Sequence, residues 1–111
     1  MKKNEQLEIN KYVENTINDI SAILRTSDGT FKWKQLYHCS ADFGYVNSDW
    51  IILKSYSTIV AAYNIYTGEL FDFLRLVYGY TSTSAQHIAK FRNYCRDEFG
   101  IYPTIYRWYA V

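Results

Sequence analysis

Proline, glycine and cysteine are all scarce in this chain: one, five and two residues in 111. So little proline and glycine leaves no low-complexity linker, and the length suits one domain, residues 1–111. Two cysteines cannot build a disulfide scaffold. A chain of this size can bury roughly two-thirds of its unfolded surface without one. Cys39 and Cys95 are therefore expected to be reduced thiols of a cytoplasmic protein, with a Cys39–Cys95 bridge as the alternative. An excess of one charge is missing too. Twelve Lys and Arg stand against eleven Asp and Glu, for a formal net charge of +1. No global field draws such a chain to nucleic acid or to a membrane. No apolar run approaches the about 20 residues that cross a bilayer. Lys2 and Lys3 lead into polar Asn4-Glu5-Gln6 and not into a signal-peptide core.

Catalytic constellations are also lacking. His38-Cys39 are neighbours, and neighbours on a strand point to opposite faces, so His38 cannot easily activate Cys39. His87 and Cys95 are eight apart, about 12 Å along a helix, too far to share a metal. The histidines and cysteines show no paired zinc-ligand spacing. Gly44, Gly68, Gly79 and Gly100 are isolated turn or cap glycines, not a phosphate-binding loop. The acidic residues are scattered, with no pair set for acid–base work or Mg²⁺. The expectation is a protein that is not an enzyme, with no cofactor and no metal.

What is present is tyrosine, twelve in all. Tyrosine suits binding surfaces, since it offers large area, few rotors and a hydroxyl. An AT-rich genome, which enriches Tyr, Asn, Ile and Lys together, is the plainer explanation. The pattern is richest from Trp50 to Phe99. Trp50-Ile51-Ile52-Leu53 and Thr58 to Tyr63 read as a buried strand, bent or broken at Ser55-Tyr56-Ser57. Asn64 to Glu69 is a turn in which Gly68 supplies positive φ. Leu70 to Leu76 returns as a strand, although Asp72 and Arg75 leave its buried face ambiguous. A helix over about 83–99 follows. Thr83 and Gln86 fit a capping box, Ile88, Phe91, Cys95 and Phe99 form its apolar stripe, and Gly100 and Pro103 end it.

Ahead of this unit, residues 5–25 carry Ile9, Tyr12, Val13, Ile17, Ile20, Ile23 and Leu24 at helical spacing, with Asn4 as N-cap. Residues 26–30 turn the chain. Phe31 to Lys34 alternates as a short strand running on through Leu36 and Tyr37, with a short helix at 31–38 as the alternative. Ser40 to Asp49 has the composition of a loop. Ile101 to Tyr109 reads as a last strand, with Pro103 near its start. The fold class is α+β: a small antiparallel sheet built on a central β-hairpin, with two packing helices at about 5–25 and 83–99. Leu24, Ile59, Leu74, Ile88 and Phe91 are expected in the core.

Residues 81–111 hold four basic and two acidic side chains. Lys90, Arg92 and Arg96 fall away from the helix stripe, with Arg92 and Arg96 an i, i+4 pair. Tyr106, Arg107 and Trp108 add residue types common at binding hot spots. These six form the candidate partner-binding site; a solvated helix face is the plain alternative. Lys32-Trp33-Lys34 reads as a second contact stripe or as a half-buried strand.

One resemblance goes further. Leu53-Lys54-Ser55-Tyr56-Ser57-Thr58-Ile59-Val60-Ala61, then Gly68, then Tyr80-Thr81-Ser82-Thr83-Ser84-Ala85-Gln86-His87-Ile88-Ala89-Lys90-Phe91 resembles a module of small proteins encoded by phages and mobile elements of Gram-positive bacteria. Their pattern is a Ser-Tyr-x-Thr-x-Val-Ala strand, a Gly turn, and a Tyr-Ser-x-Thr-Thr-Ser-x-His-Ile helix start. The likeness covers about 40 residues, one hairpin–helix unit, and departs at Thr83 to Gln86. It implies no catalytic residue. It singles out His87, with a structural hydrogen bond to Ser55 or Tyr56 as its plain role. It also implies a bacterial host cytoplasm. In size and α+β make-up the chain is similar to anti-CRISPR proteins. The implied function is to bind and inhibit a bacterial defence effector, most of all a CRISPR nuclease. The partner is a protein or a protein–nucleic-acid complex, bound by a monomer or homodimer. The rival is a small regulator contacting nucleic acid directly through the basic helix face.

Overall fold

The computed structural model describes residues 2–26 and 32–111. The expected turn at 27–30, and Phe31 of the expected strand, lie outside them. The elements are α1 (Lys3–Thr26), β1 (Lys34–Gln35), β2 (Ala41–Val46), β3 (Trp50–Ser55), β4 (Thr58–Asn64), β5 (Glu69–Asp72), α2 (Leu74–Val77), α3 (Ser82–Phe99) and β6 (Thr104–Arg107). The class is α+β, and the two long helices fall where their apolar spacing places them.

The six strands form one sheet in chain order, β1 to β6. Neighbours are antiparallel except for β5 and β6, which run parallel. The parallel pair corrects the all-antiparallel expectation. Its cause is the intervening α2 and α3, because a parallel return needs a crossover. Alternation along the strands gives the sheet two apolar faces. Ala41, Phe43, Ile51, Leu53, Ala61, Tyr63 and Leu70 meet Leu74, Ile88, Phe91 and Cys95 on the α3 side. Val46, Ile52, Ala62 and Phe71 meet Val13 and Ile20 on the α1 side. The sheet is thus covered on both faces. Leu74, Ile88 and Phe91 are buried, as expected. Leu24 and Ile59 are half-buried at the edge of the α1-side core.

Three local readings change, and the open choice at the serine bend is decided. The stretch 40–49 holds a strand, not only a loop: β2 pairs with β3 from Ala41↔Ser55 to Val46↔Trp50. Its Asp, Gly and Ala are tolerated because neighbours on both sides hold it, and strand preference yields to such context. The strand expected over 31–37 is only β1, and Tyr37 at φ 51° already turns the chain. The serine bend is a complete hairpin turn at Tyr56-Ser57, so the run from 50 to 63 is two strands. The return strand stops at Asp72, whose Oδ1 accepts the Leu74 N–H at 3.0 Å and starts α2. Gly68 has the positive φ its turn requires, 73°.

Candidate binding groove at the sheet edge

The structure separates the six candidate residues. β6 is the edge strand, and its side chains alternate. Ile105 and Arg107 face the α3 side, while Tyr106 and Trp108 pack with the α1-side core. Tyr106 stacks on Phe71 with centroids 5.6 Å apart and meets Tyr12 edge-on at 5.1 Å. Trp108 donates its Nε1–H to Glu14 at 2.7 Å. These two aromatics join α1 to the sheet and share no surface with the α3 arginines. Lys90 is exposed. Arg96 is tied to Asp97 at 2.9 Å and to the Tyr102 hydroxyl at 2.8 Å, outside the lining of the groove described next.

Arg92 and Arg107 do come together. They line a cleft of about 230 Å³ with Asp72, Leu74, Arg75, Tyr80 and Ile88. The cleft continues past Ile105 to Tyr109 and to Gln6 and Ile9 of α1. The groove therefore follows the free edge of the sheet, between the two helix layers. Arg107 is fixed by Asp72, Nε to Oδ2 at 2.7 Å. Arg75 lies between the rings of Tyr80 and Tyr109, at 4.8 and 4.6 Å. Sequence reasoning missed Arg75, Tyr80 and Tyr109. Arg75 was assigned to a strand that ends three residues earlier. The one signal was its failure to fit that strand's alternation.

The edge is partly closed by α1. The Thr104 and Trp108 N–H groups donate to Gly68 and Asp72 of the β5 side, so the odd residues of β6 turn outward. Gln6 donates to the Arg107 carbonyl at 2.9 Å. Asn10 donates to the Tyr109 carbonyl at 2.6 Å and accepts its N–H at 3.0 Å. Buried amides on a helix thus take the place of a seventh strand. Edge groups left unpaired invite pairing with another chain, and this cover prevents it.

His87 makes the bond its position suggests, Nδ1 to Ser55 Oγ at 2.8 Å, and Ser84 Oγ reaches the same oxygen at 2.9 Å. All three side chains are buried. Burial first, and the Lys90 charge second, hold the imidazole below its ordinary pKa. This serine–histidine contact lies inside the fold, with Ser55 and His87 at 0% and 4% exposure. Cys39 and Cys95 are both free. Burial pushes the Cys95 thiol well up, which keeps it protonated and inert. Tyr12 is pushed up to about 12, mainly by its hydrogen bond to the Glu69 carboxylate. Among the described residues no three His, Cys, Asp or Glu gather as a metal site, and no helix is long and apolar enough to cross a membrane.

No family model, curated protein or solved structure matches the chain. The groove must be read from its own geometry.

Proposed function

We propose that the chain is a non-catalytic protein that acts by binding a macromolecular partner. The observation that carries this reading is the open groove in which Arg75, Arg92 and Arg107 meet Tyr80 and Tyr109. Arginine and tyrosine are the residue types that dominate binding hot spots. The wider surface agrees: nine of the twelve tyrosines are exposed. The partner class comes from the resemblance of the Ser55-to-Ala61 strand and the Tyr80-to-Phe91 helix start. It is a bacterial defence effector, with a CRISPR nuclease as the first choice. The buried Ser55–His87 contact supports a structural role for the residues that the resemblance singles out.

The test is capture of partners from a phage-host lysate, followed by a cleavage assay of the captured nuclease with and without the chain. Blocked cleavage supports the reading. Arg75→Glu with Arg92→Glu should weaken capture at least tenfold, or 1.4 kcal/mol, at unchanged melting temperature. Survival of binding within about twofold moves the site out of the groove. If the chain instead shifts free DNA, with affinity falling at a log–log slope of about −0.9 per phosphate contact, it is a nucleic-acid regulator and the inhibitor reading is wrong.

A further inference from the structure

The inner part of the groove is rich in donors and has no acceptor to spare. Arg75, Arg92 and Arg107 line it against a single carboxylate, Asp72. Both Asp72 oxygens are engaged, Oδ1 with the Leu74 N–H and Oδ2 with Arg107 Nε. Three guanidiniums against one carboxylate leave two positive charges. The Tyr80 and Tyr109 rings hold the Arg75 guanidinium by cation–π attraction at 4.8 and 4.6 Å but do not neutralise it. Arg92 is half-buried, and its Nε–H, closed off from solvent, has no hydrogen-bond partner among the described residues, so any donation into the groove comes from its terminal nitrogens. Native folds keep few such unsatisfied groups, and each calls for a reason. Packing alone would be served better by a methionine.

From these features we propose that this part of the groove binds a small organic phosphate monoester, of mononucleotide class. A phosphate dianion matches the two uncompensated charges. Its three terminal oxygens can take donors from three guanidiniums, whereas one guanidinium fork already satisfies both oxygens of a carboxylate. Leu74, Ala85 and Ile88 give the organic portion an apolar wall, and the exposed Tyr80 ring stands at the side. The volume of about 230 Å³ holds a phosphoryl group and part of what it is attached to. A nucleic-acid chain would need a broad basic surface, and the net charge of +1 does not supply one.

The experiment is calorimetric titration of the full chain with adenosine 5′-monophosphate, inorganic phosphate, adenosine and succinate. Saturable one-to-one binding of the monophosphate is expected, with inorganic phosphate at least tenfold weaker and the other two silent. Arg75→Met and Arg92→Met should each weaken the monophosphate at least tenfold. Arg92→Met should also melt no lower than the parent, since it removes an unpartnered buried donor. That pairing separates lost binding from lost fold. Equal binding of succinate or of inorganic phosphate overturns the proposal, as does binding that is absent at millimolar ligand or unchanged in both variants. No protein partner enters the titration. Its failure therefore leaves the partner reading standing, and failed capture leaves this one standing.

Discussion

The two faces of the sheet are covered by helices held in different ways. On the α3 side, Leu53, Ala61, Leu70, Ile88 and Phe91 form a mainly apolar contact, with two polar joints among the described residues, Ser55–Ser84–His87 inside and Tyr45–Tyr94 at the rim. On the α1 side, aromatic and branched side chains share the work with a polar seam, Gln6 and Asn10 to the β6 backbone, Tyr12 to Glu69 and Glu14 to Trp108. The α3 layer is joined to the hairpin it follows in sequence, while the α1 layer is joined to the far end of the chain. The first should carry the larger share of stability. The second should govern the state of the sheet edge and its groove.

The sharpest way to break that comparison is Phe91→Ala. Phe91 is fully buried in the centre of the α3-side core. Its removal should cost about 3–5 kcal/mol, read from urea unfolding, and a loss under about 1 kcal/mol would show that this face does not dominate. Asn10→Ala comes next. It strands both backbone groups of Tyr109 and one bond of Gln6, a cost of about 1–3 kcal/mol. Hydrogen exchange at the Tyr109 amide should accelerate while amides of α3 stay protected. Uniform acceleration would mean that the seam is not local to the edge.

How much of this was legible in the sequence follows the same division. Helix α3 announces itself by Ile88, Phe91, Cys95 and Gly100, because periodicity and a positive-φ cap are local signals. The His87 partner was accessible too, since the hydroxyls of the strand bend were its nearest candidates. Strand β2 was not legible. Ala41-Asp42-Phe43-Gly44 is a poor strand by composition, and only pairing with β3 makes it one. The candidate groove was half legible. Arg92 and Arg107 belong to it, but the parity of β6 sends Tyr106 and Trp108 to the opposite face, and Arg75 enters from a short helix. Nothing local in Gln6 or Asn10 tells that they cover a strand about 100 residues away.

The buried histidine separates the faces by pH. Because the native imidazole is held below its ordinary pKa, the unfolded chain binds a proton that the native one refuses. The associated stability is complete above about pH 6.5 and declines as the pH falls through that value. The decline is at most one proton's worth, about 1.4 kcal/mol per pH unit, and it stops once the native His87 protonates. Unfolding free energies at pH 7.5 and 5.5 should therefore converge for the parent and His87→Gln as the pH falls. An unchanged gap between the two proteins would show that His87 titrates alike in both states.

The smallest expected effect lies at the start of α3. The sequence favours Thr83 as N-cap, whereas the structure uses Thr81, in extended conformation with φ −132° and its side chain accepting the Ser84 N–H at 3.2 Å. The capping oxygen must belong to a residue still outside the helix, and Thr83 is already within it. Ser84 also reaches Ser55, so the cap sets the register in which His87 meets the strand bend. Thr81→Ala should cost about 1 kcal/mol, while Thr83→Ala, at an exposed helical position, should be neutral or slightly stabilising because alanine is the better helix former. The loss should accompany faster exchange of the first-turn amides of α3 and leave α1 untouched. Equal losses for the two variants would return the cap to Thr83 and shift the helix start by two residues.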